Sequence, residues 1–331
     1  MSQKSDANIF EQVIEDLKTQ PWLNTSRKWW PDYLFHFTDI CNAAEILKSG
    51  CLLSRKRVGE KGSMASENAS TAVIEQTDEK WKDYVRFYFR PKTPTQYNNE
   101  GFRPKDQINY LGAHCPVPVF FLFKSKPLLT RKDSVFSLGS LAVNGAEAFN
   151  SGEMFQKMPF QDIYHVGPYD KLLNFNIKYN RHAEVAIPEM CSLEHLHRIV
   201  CRSNAERNTL CNLLPSDCIQ WLDKIIVDTR LNLFHHEWAY IERVEFDKKK
   251  INLYFHKGSK VNGTFKALLR IIEHHTGIHY SWSNDSYMIT GIETFALTNI
   301  KYPDHYTVEF YLDHQLAFRG TYMDKDELLP F

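Results

Sequence analysis

The chain has 331 residues, with 40 Lys+Arg against 40 Asp+Glu. That length can bury a large core and hold more than one domain. The charge balance excludes a global pull toward nucleic acid, so any such affinity must come from a local patch. Aromatic residues reach 14%, which suits a packed protein and argues against disorder.

The N-terminus (MSQKSDANIF) is polar and no run approaches a membrane span, so the sequence points to a cytoplasmic protein with no membrane partner. Residues 8–19 have the periodicity of a short amphipathic helix. Trp22, Trp29 and Trp30 lead through Pro31 into an apolar strand, YLFHFT. A helix begins at Asp39, with Ile40, Ala43, Ala44 and Leu47 on one face and Gly50 as its stop. Residues 54–80 are polar and carry Gly59 and Gly62, which predicts a mobile loop with one helix near 70–80.

Residues 83–101 (DYVRFYFRPKTPTQYNNEG) carry the most informative pattern. Val85, Phe87 and Phe89 fall on one face of a strand, and Tyr84, Arg86, Tyr88 and Arg90 on the other. The second face suits a surface that grips phosphates and stacks on flat rings. It also suits an edge strand with solvated side chains.

Residues 117–124 (VPVFFLFK) predict a buried strand. Residues 143–173 read as a long loop with a short helix, close to the chemistry, because long loops in compact domains are often functional. RHAEVAIP (181–188) is a short strand, residues 192–199 a strand or helix, 203–213 a helix and 223–229 a strand. Beyond about residue 240 the pattern changes. Strand-like alternation in 242–256 and 306–322 surrounds an expected helix at 264–275, so a boundary is placed at 242/243.

The seven cysteines (41, 51, 115, 191, 201, 211 and 218) are irregularly spaced and form no CxxC pair, which points to reduced thiols. Cys191, His195, His197 and Cys201 would not converge on a helix. The pairs His235-His236 and His274-His275 point different ways, so no metal is expected.

Three stretches together, FHFTDICNAAEILKSGCLLS (35–54), DYVRFYFRPKTPTQY (83–97) and RHAEVAIP, resemble the DarT family of toxins over about residues 30–240. Those proteins are ADP-ribosyltransferases that act on nucleic-acid bases. The resemblance implies an α+β fold of split antiparallel β-sheets with flanking helices and NAD, a co-substrate, in the cleft. A small β-rich α+β domain (243–331) would follow the transferase domain (1–242). It further implies a toxin that puts one ADP-ribose on bases of single-stranded DNA, with RNA as second choice. A cognate antitoxin and a chaperone would be its protein partners. Other readings of the residues are a non-catalytic nucleic-acid-binding module and ADP-ribosylation of protein.

Residue by residue, the resemblance implies Glu184 as the catalytic carboxylate, set beside an oxocarbenium-like transition state. Arg86 joins it. The better-known branch of the family carries an arginine in the loop matching roughly 70–80, and ASTAVIEQTDEKW has none. Arg86 or Arg90 is expected to fill that role. His36, Phe37, Thr38, Asn42, Leu52, Tyr88 and Arg90 are expected to hold NAD. His36 would donate to a ribose hydroxyl or the nicotinamide amide, and the helix start near Thr38 and Asn42 would face the pyrophosphate, or else simply be capped. Lys92, Gln96, Tyr164, His165 and Tyr169 are expected to meet the substrate. The stretch 154–180 matches the family's substrate-recognition loop, whose Phe160, Tyr164, His165 and Tyr169 either stack on a base or pin the loop to the core.

Overall fold

In the computed structural model, a seven-stranded sheet is built from the runs with strand periodicity. The structure describes residues 2–62, 64–108, 112–170, 174 and 176–324. Strands β1 (Tyr33–Asp39) and β4 (Pro118–Lys124) pair antiparallel along their whole length, from Tyr33 with Lys124 to Asp39 with Pro118. β4 is apolar on both faces because both are covered, and six of its seven residues are buried. On one side of this pair stand β8 (Leu196–Cys201) and β9 (Ile225–Val227). On the other stand β3 (Tyr84–Tyr88), β6 (Glu184–Pro188) and β5 (Val135–Phe136). A small ribbon, β2 (Cys51–Leu53) with β7 (Met190–Ser192), flanks the sheet.

The helix Ile40–Ser49 starts where the Asp39 carboxylate accepts from the Cys41 amide at 2.9 Å. It ends at Gly50, whose φ of 70° closes the last turn. Residues 54–80 hold more structure than the sequence suggests. Three short helices, Arg55–Lys61, Thr71–Gln76 and Glu79–Lys82, span the stretch, and the hydroxyls of Ser54 and Ser70 cap the first two. The stretch 143–173 contains two short helices, Gly152–Gln156 and Phe160–Ile163.

The remaining strands follow the seven-stranded sheet. β10 (Tyr240–Phe246), β11 (Lys250–His256) and β14 (Ile292–Ala296) form one sheet. β12 (Phe265–Glu273), β13 (His279–Tyr287), β15 (His305–Leu312) and β16 (Gln315–Met323) form another, in the order β13-β12-β15-β16. The helix expected at 264–275 is therefore strand β12. Its burial alternates through Phe265, Ala267, Leu269, Ile271 and Glu273, and it pairs on both sides. Two flanking strands supply every ladder bond and so override the apolar spacing that also suits a helix.

The position 242/243 falls inside β10. One apolar core runs from Phe120 and Leu210 to Ile241, Phe310 and Phe318. Polar ties cross as well: Ser203 Oγ donates to the Ile241 carbonyl at 2.6 Å, and the Arg319 amide donates to Thr209 Oγ1 at 3.0 Å. No helix among the described residues is long and apolar enough to cross a membrane.

Candidate active site

The cleft forms where the sheet fails to close. β1 and β3 share a single residue pair, Phe35 with Tyr88, and then diverge. His36 bridges the gap. Its Nδ1 lies 3.0 Å from the Arg86 carbonyl oxygen, which can only accept, so Nδ1 carries the hydrogen. Burial holds the ring below its ordinary pKa and therefore neutral. The free Nε2 is then an acceptor. From Nε2 the neutral ring can accept a hydrogen bond but cannot make the expected donation.

A cavity of about 640 Å³ occupies the gap. His36, Phe37 and Thr38 of β1 line it, with Asn42 and Leu52 from the elements that follow. Arg86 and Tyr88 of β3 face them, and Glu184 opens β6 directly opposite Tyr88 in register. Eight of the expected site residues thus meet around one space.

Glu184 is 2% exposed. Its Oε2 accepts from the Leu141 amide at 3.1 Å and lies 3.8 Å from Arg86 Nη1. Burial raises its pKa, and Arg86 and the Leu141 amide oppose that rise. A carboxylate so held is a fixed negative group and a competent proton acceptor. Burial also raises the Tyr88 phenol, which keeps it a neutral hydrogen-bonding group.

Other expected residues are already committed. Asn42 donates to the Ser66 carbonyl at 2.7 Å and accepts from the Ala65 and Ser66 amides, so it ties down the loop over the cleft. The Cys41 amide is taken by Asp39, which caps the helix start that could have met pyrophosphate.

Six of the expected residues stand apart from the cleft. Arg90 leaves the face it shared with Arg86 because β3 ends at Tyr88. It is 2% exposed and donates to the carbonyls of Pro91, Ile163 and His165. Gln96 is buried and donates to Glu100 and to the Leu233 carbonyl, both at 2.8 Å. Tyr164 is buried against Phe160 and Trp30. His165 Nδ1 meets Arg181 Nη2 at 2.6 Å. Arg90, Gln96 and Tyr164 therefore build the scaffold beside the site, and none of them lines the cleft. Lys92 and Tyr169 line a different cavity. The stretch 154–180 lies partly outside the described residues, at 171–173 and 175.

The sequence did not reveal the Leu141 amide, which reaches Glu184 across 43 residues. Nor did it reveal Trp81, Ser140 or Arg55, all of which line the cleft beside Tyr84. Arg55 pairs with Glu67 through Nη1 at 2.5 Å and Nη2 at 3.2 Å. The basic run Arg55-Lys56-Arg57, directly after the ribbon strand, was its visible signal.

A family model described as "ssDNA thymidine ADP-ribosyltransferase, DarT" matches residues 35–234. The chain belongs to the DarT family. It is an NAD-dependent ADP-ribosyltransferase. The DarT match contains every expected cleft residue from His36 to Glu184 and leaves β10 to β16 outside. Among solved structures, Thermus sp. 2.9 DarT in complex with ADP-ribosylated ssDNA is 17% identical, with a TM-score of 0.48, covering 62% of this chain and 97% of its own. The same DarT with NAD+ is 16% identical, with a TM-score of 0.46, over 62% and 98%. Thermosipho africanus DarTG in complex with ADP-ribose is 13% identical, with a TM-score of 0.44, over 65% and 53%. No curated protein matches the chain. No group of three His, Cys, Asp or Glu among the described residues could hold a metal.

Proposed function

We propose that this enzyme transfers one ADP-ribose from NAD to a thymine of single-stranded DNA, with Glu184 as its catalytic residue and Arg86 as that residue's partner. The observation that carries the reading is the Glu184 carboxylate, buried in the wall of a cleft where an amide and a guanidinium fix it.

The bond between the ribose C1′ and nicotinamide nitrogen breaks, and nicotinamide departs with the electron pair. Positive charge develops on the ribose, and the fixed Glu184 carboxylate lowers its energy. A thymine ring nitrogen attacks C1′ and gives its proton to Glu184. His36 Nε2 accepts from the dinucleotide, Phe37 and Leu52 supply apolar walls, and Thr38 and Tyr88 are polar contacts. The surface pair of Arg55 with Glu67 is one a pyrophosphate can exchange. Pairing and stacking would cover the ring nitrogen in a duplex, so the strand must be single.

In this reading residues 1–242 form the transferase and 243–331 an accessory part. The protein acts in the cytoplasm as a toxin restrained by a cognate antitoxin. The test is labelled NAD incubated with separate pools of single-stranded DNA, RNA and protein. Label is expected on DNA, and the Glu184→Gln variant should lose it while still binding oligonucleotide. Label on RNA or polypeptide alone would replace the DNA reading. Expression of the wild type should arrest growth and that of Glu184→Gln should not.

A further inference from the structure

A second cavity, of about 520 Å³, lies just past the ends of the two strands that carry the catalytic cleft. Lys92 follows Tyr88 of β3 by four residues, and Arg181 precedes Glu184 of β6 by three. At ~3.8 Å per residue, the Arg181 and Glu184 Cα atoms are at most about 11 Å apart. That is roughly three nucleotides at the ~3.4 Å spacing of a stacked strand.

Its lining is basic and aromatic, with Lys92, Lys178, Arg181, Tyr97, Tyr169 and His235 and no acid among the described residues. Lys92 and Arg181 hydrogen-bond to neutral groups, and Glu100 and Asp228 act on Lys92 from farther off. Lys92 Nζ donates to Asn232 Oδ1 at 2.6 Å, and Arg181 Nη2 donates to the Gly167 carbonyl at 2.9 Å. Buried Arg90 adds to this field, since Arg181 and Arg27 both push its pKa down in the direction burial already drives it. Two lining residues also carry a buried nitrogen with no partner among the described residues, Arg181 Nε and His235 Nε2. Such orphans are rare unless a ligand or water completes them. Lys92 itself sits at φ 56°, a left-handed conformation uncommon for a long side chain, with its amide held by Gln96 Oε1 at 2.7 Å. Tyr97 is 45% exposed, and Lys260, from the segment after β11, donates to its hydroxyl at 2.6 Å.

We propose that this cavity is a second nucleic-acid subsite, taking a phosphodiester and an adjacent base from the strand that flanks the modified nucleotide. It rests on the reading of single-stranded DNA as substrate. Lys92 and Arg181 meet the phosphate, and the exposed Tyr97 ring stacks on the base. Through Lys260 the C-terminal part holds that ring in place.

The test compares binding of short and long thymidine-containing oligonucleotides, about 2 and about 12 nucleotides, to wild type and to Lys92→Glu with Tyr97→Ala. Unchanged NAD affinity shows that the variant is folded. The long strand should bind the variant about tenfold more weakly. The salt dependence of log K should fall by about one. The short strand should bind alike. Equal binding of the long strand with an unchanged salt slope overturns the proposal. So does displacement of the long strand by free thymidine monophosphate in the wild type but not in the variant, which would make the cavity a nucleotide pocket. A strand that shows the length effect but receives no label from NAD refutes the thymine reading and leaves the subsite standing.

Discussion

The transferase sheet and the C-terminal four-stranded sheet use the same antiparallel pairing to opposite ends. β12 is paired on both sides, from Ala267 to Ile272, and no space opens between strands. β1 is paired fully with β4 but touches β3 only at Phe35 with Tyr88. The missing ladder leaves backbone groups and side chains facing an open gap, where the His36 ring bonds the Arg86 carbonyl. Pairing that is withheld creates the site, and pairing that is complete creates the buttress. Two nearby arginines repeat the contrast: Arg86, on β3, stands in the gap beside Glu184, while Arg90, two residues past the end of β3, is sealed among carbonyls.

Five substitutions break or sharpen that comparison. Glu184→Gln should lower transfer about 10³-fold, or ~4 kcal/mol, with little change in melting temperature. A stable variant that keeps full activity, measured with labelled NAD, would remove the gap's chemical meaning. Leu269→Ala, in the middle of the fully paired strand and 3% exposed, should cost about 3 kcal/mol in denaturant unfolding. With one core across both sheets, the loss should appear in a single transition. Two separated transitions would make the buttress an independent domain. Arg90→Met should cost about 2 kcal/mol, because it strips donors from buried carbonyls.

Arg86→Met acts on the site and not on the fold. Arg86 holds the raised Glu184 pKa down, so its removal should send that pKa higher. Wild-type transfer should fail as the pH drops through a value above the ordinary 4.5 for a glutamate. The acid limb of the Arg86→Met profile should move to higher pH. An unmoved limb would show that the guanidinium does not act on the carboxylate.

Asp39→Asn gives the smallest effect. Burial raises Asp39 from 3.8 to about 6. Between those values the folded state holds more protons than the unfolded chain, so stability falls as pH rises through the window. The asparagine variant should lose that slope in pH-dependent denaturant midpoints.

The strands that frame the site were legible because their apolar residues repeat every second position, as in Val85 and Phe87, or run continuously, as in 118–123. The helix start at Asp39 and stop at Gly50 were legible from local chemistry. Residues 265–273 were not, because FKALLRIIE satisfies both periods and only its two neighbours choose. Arg90 was misplaced for a related reason. Alternation predicts its face only while the strand lasts, and the chain turns at Pro91 and the left-handed Lys92. Tyr164 and Gln96 carry the residue types of a substrate surface, yet their partners come from Trp30, Glu100 and Leu233, at positions no pattern connects.

By itself the sequence determined the membership of one family and the order of the elements around the cleft, because these reside in local spacing and residue type. Only the tertiary structure decided where the sheet splits, which nitrogen of His36 is free and which amide holds Glu184. It also decided that the arginine of β3 faces the gap while the next arginine is buried. Those outcomes depend on atoms brought together from distant segments, where burial and the available hydrogen-bond partners set the chemistry.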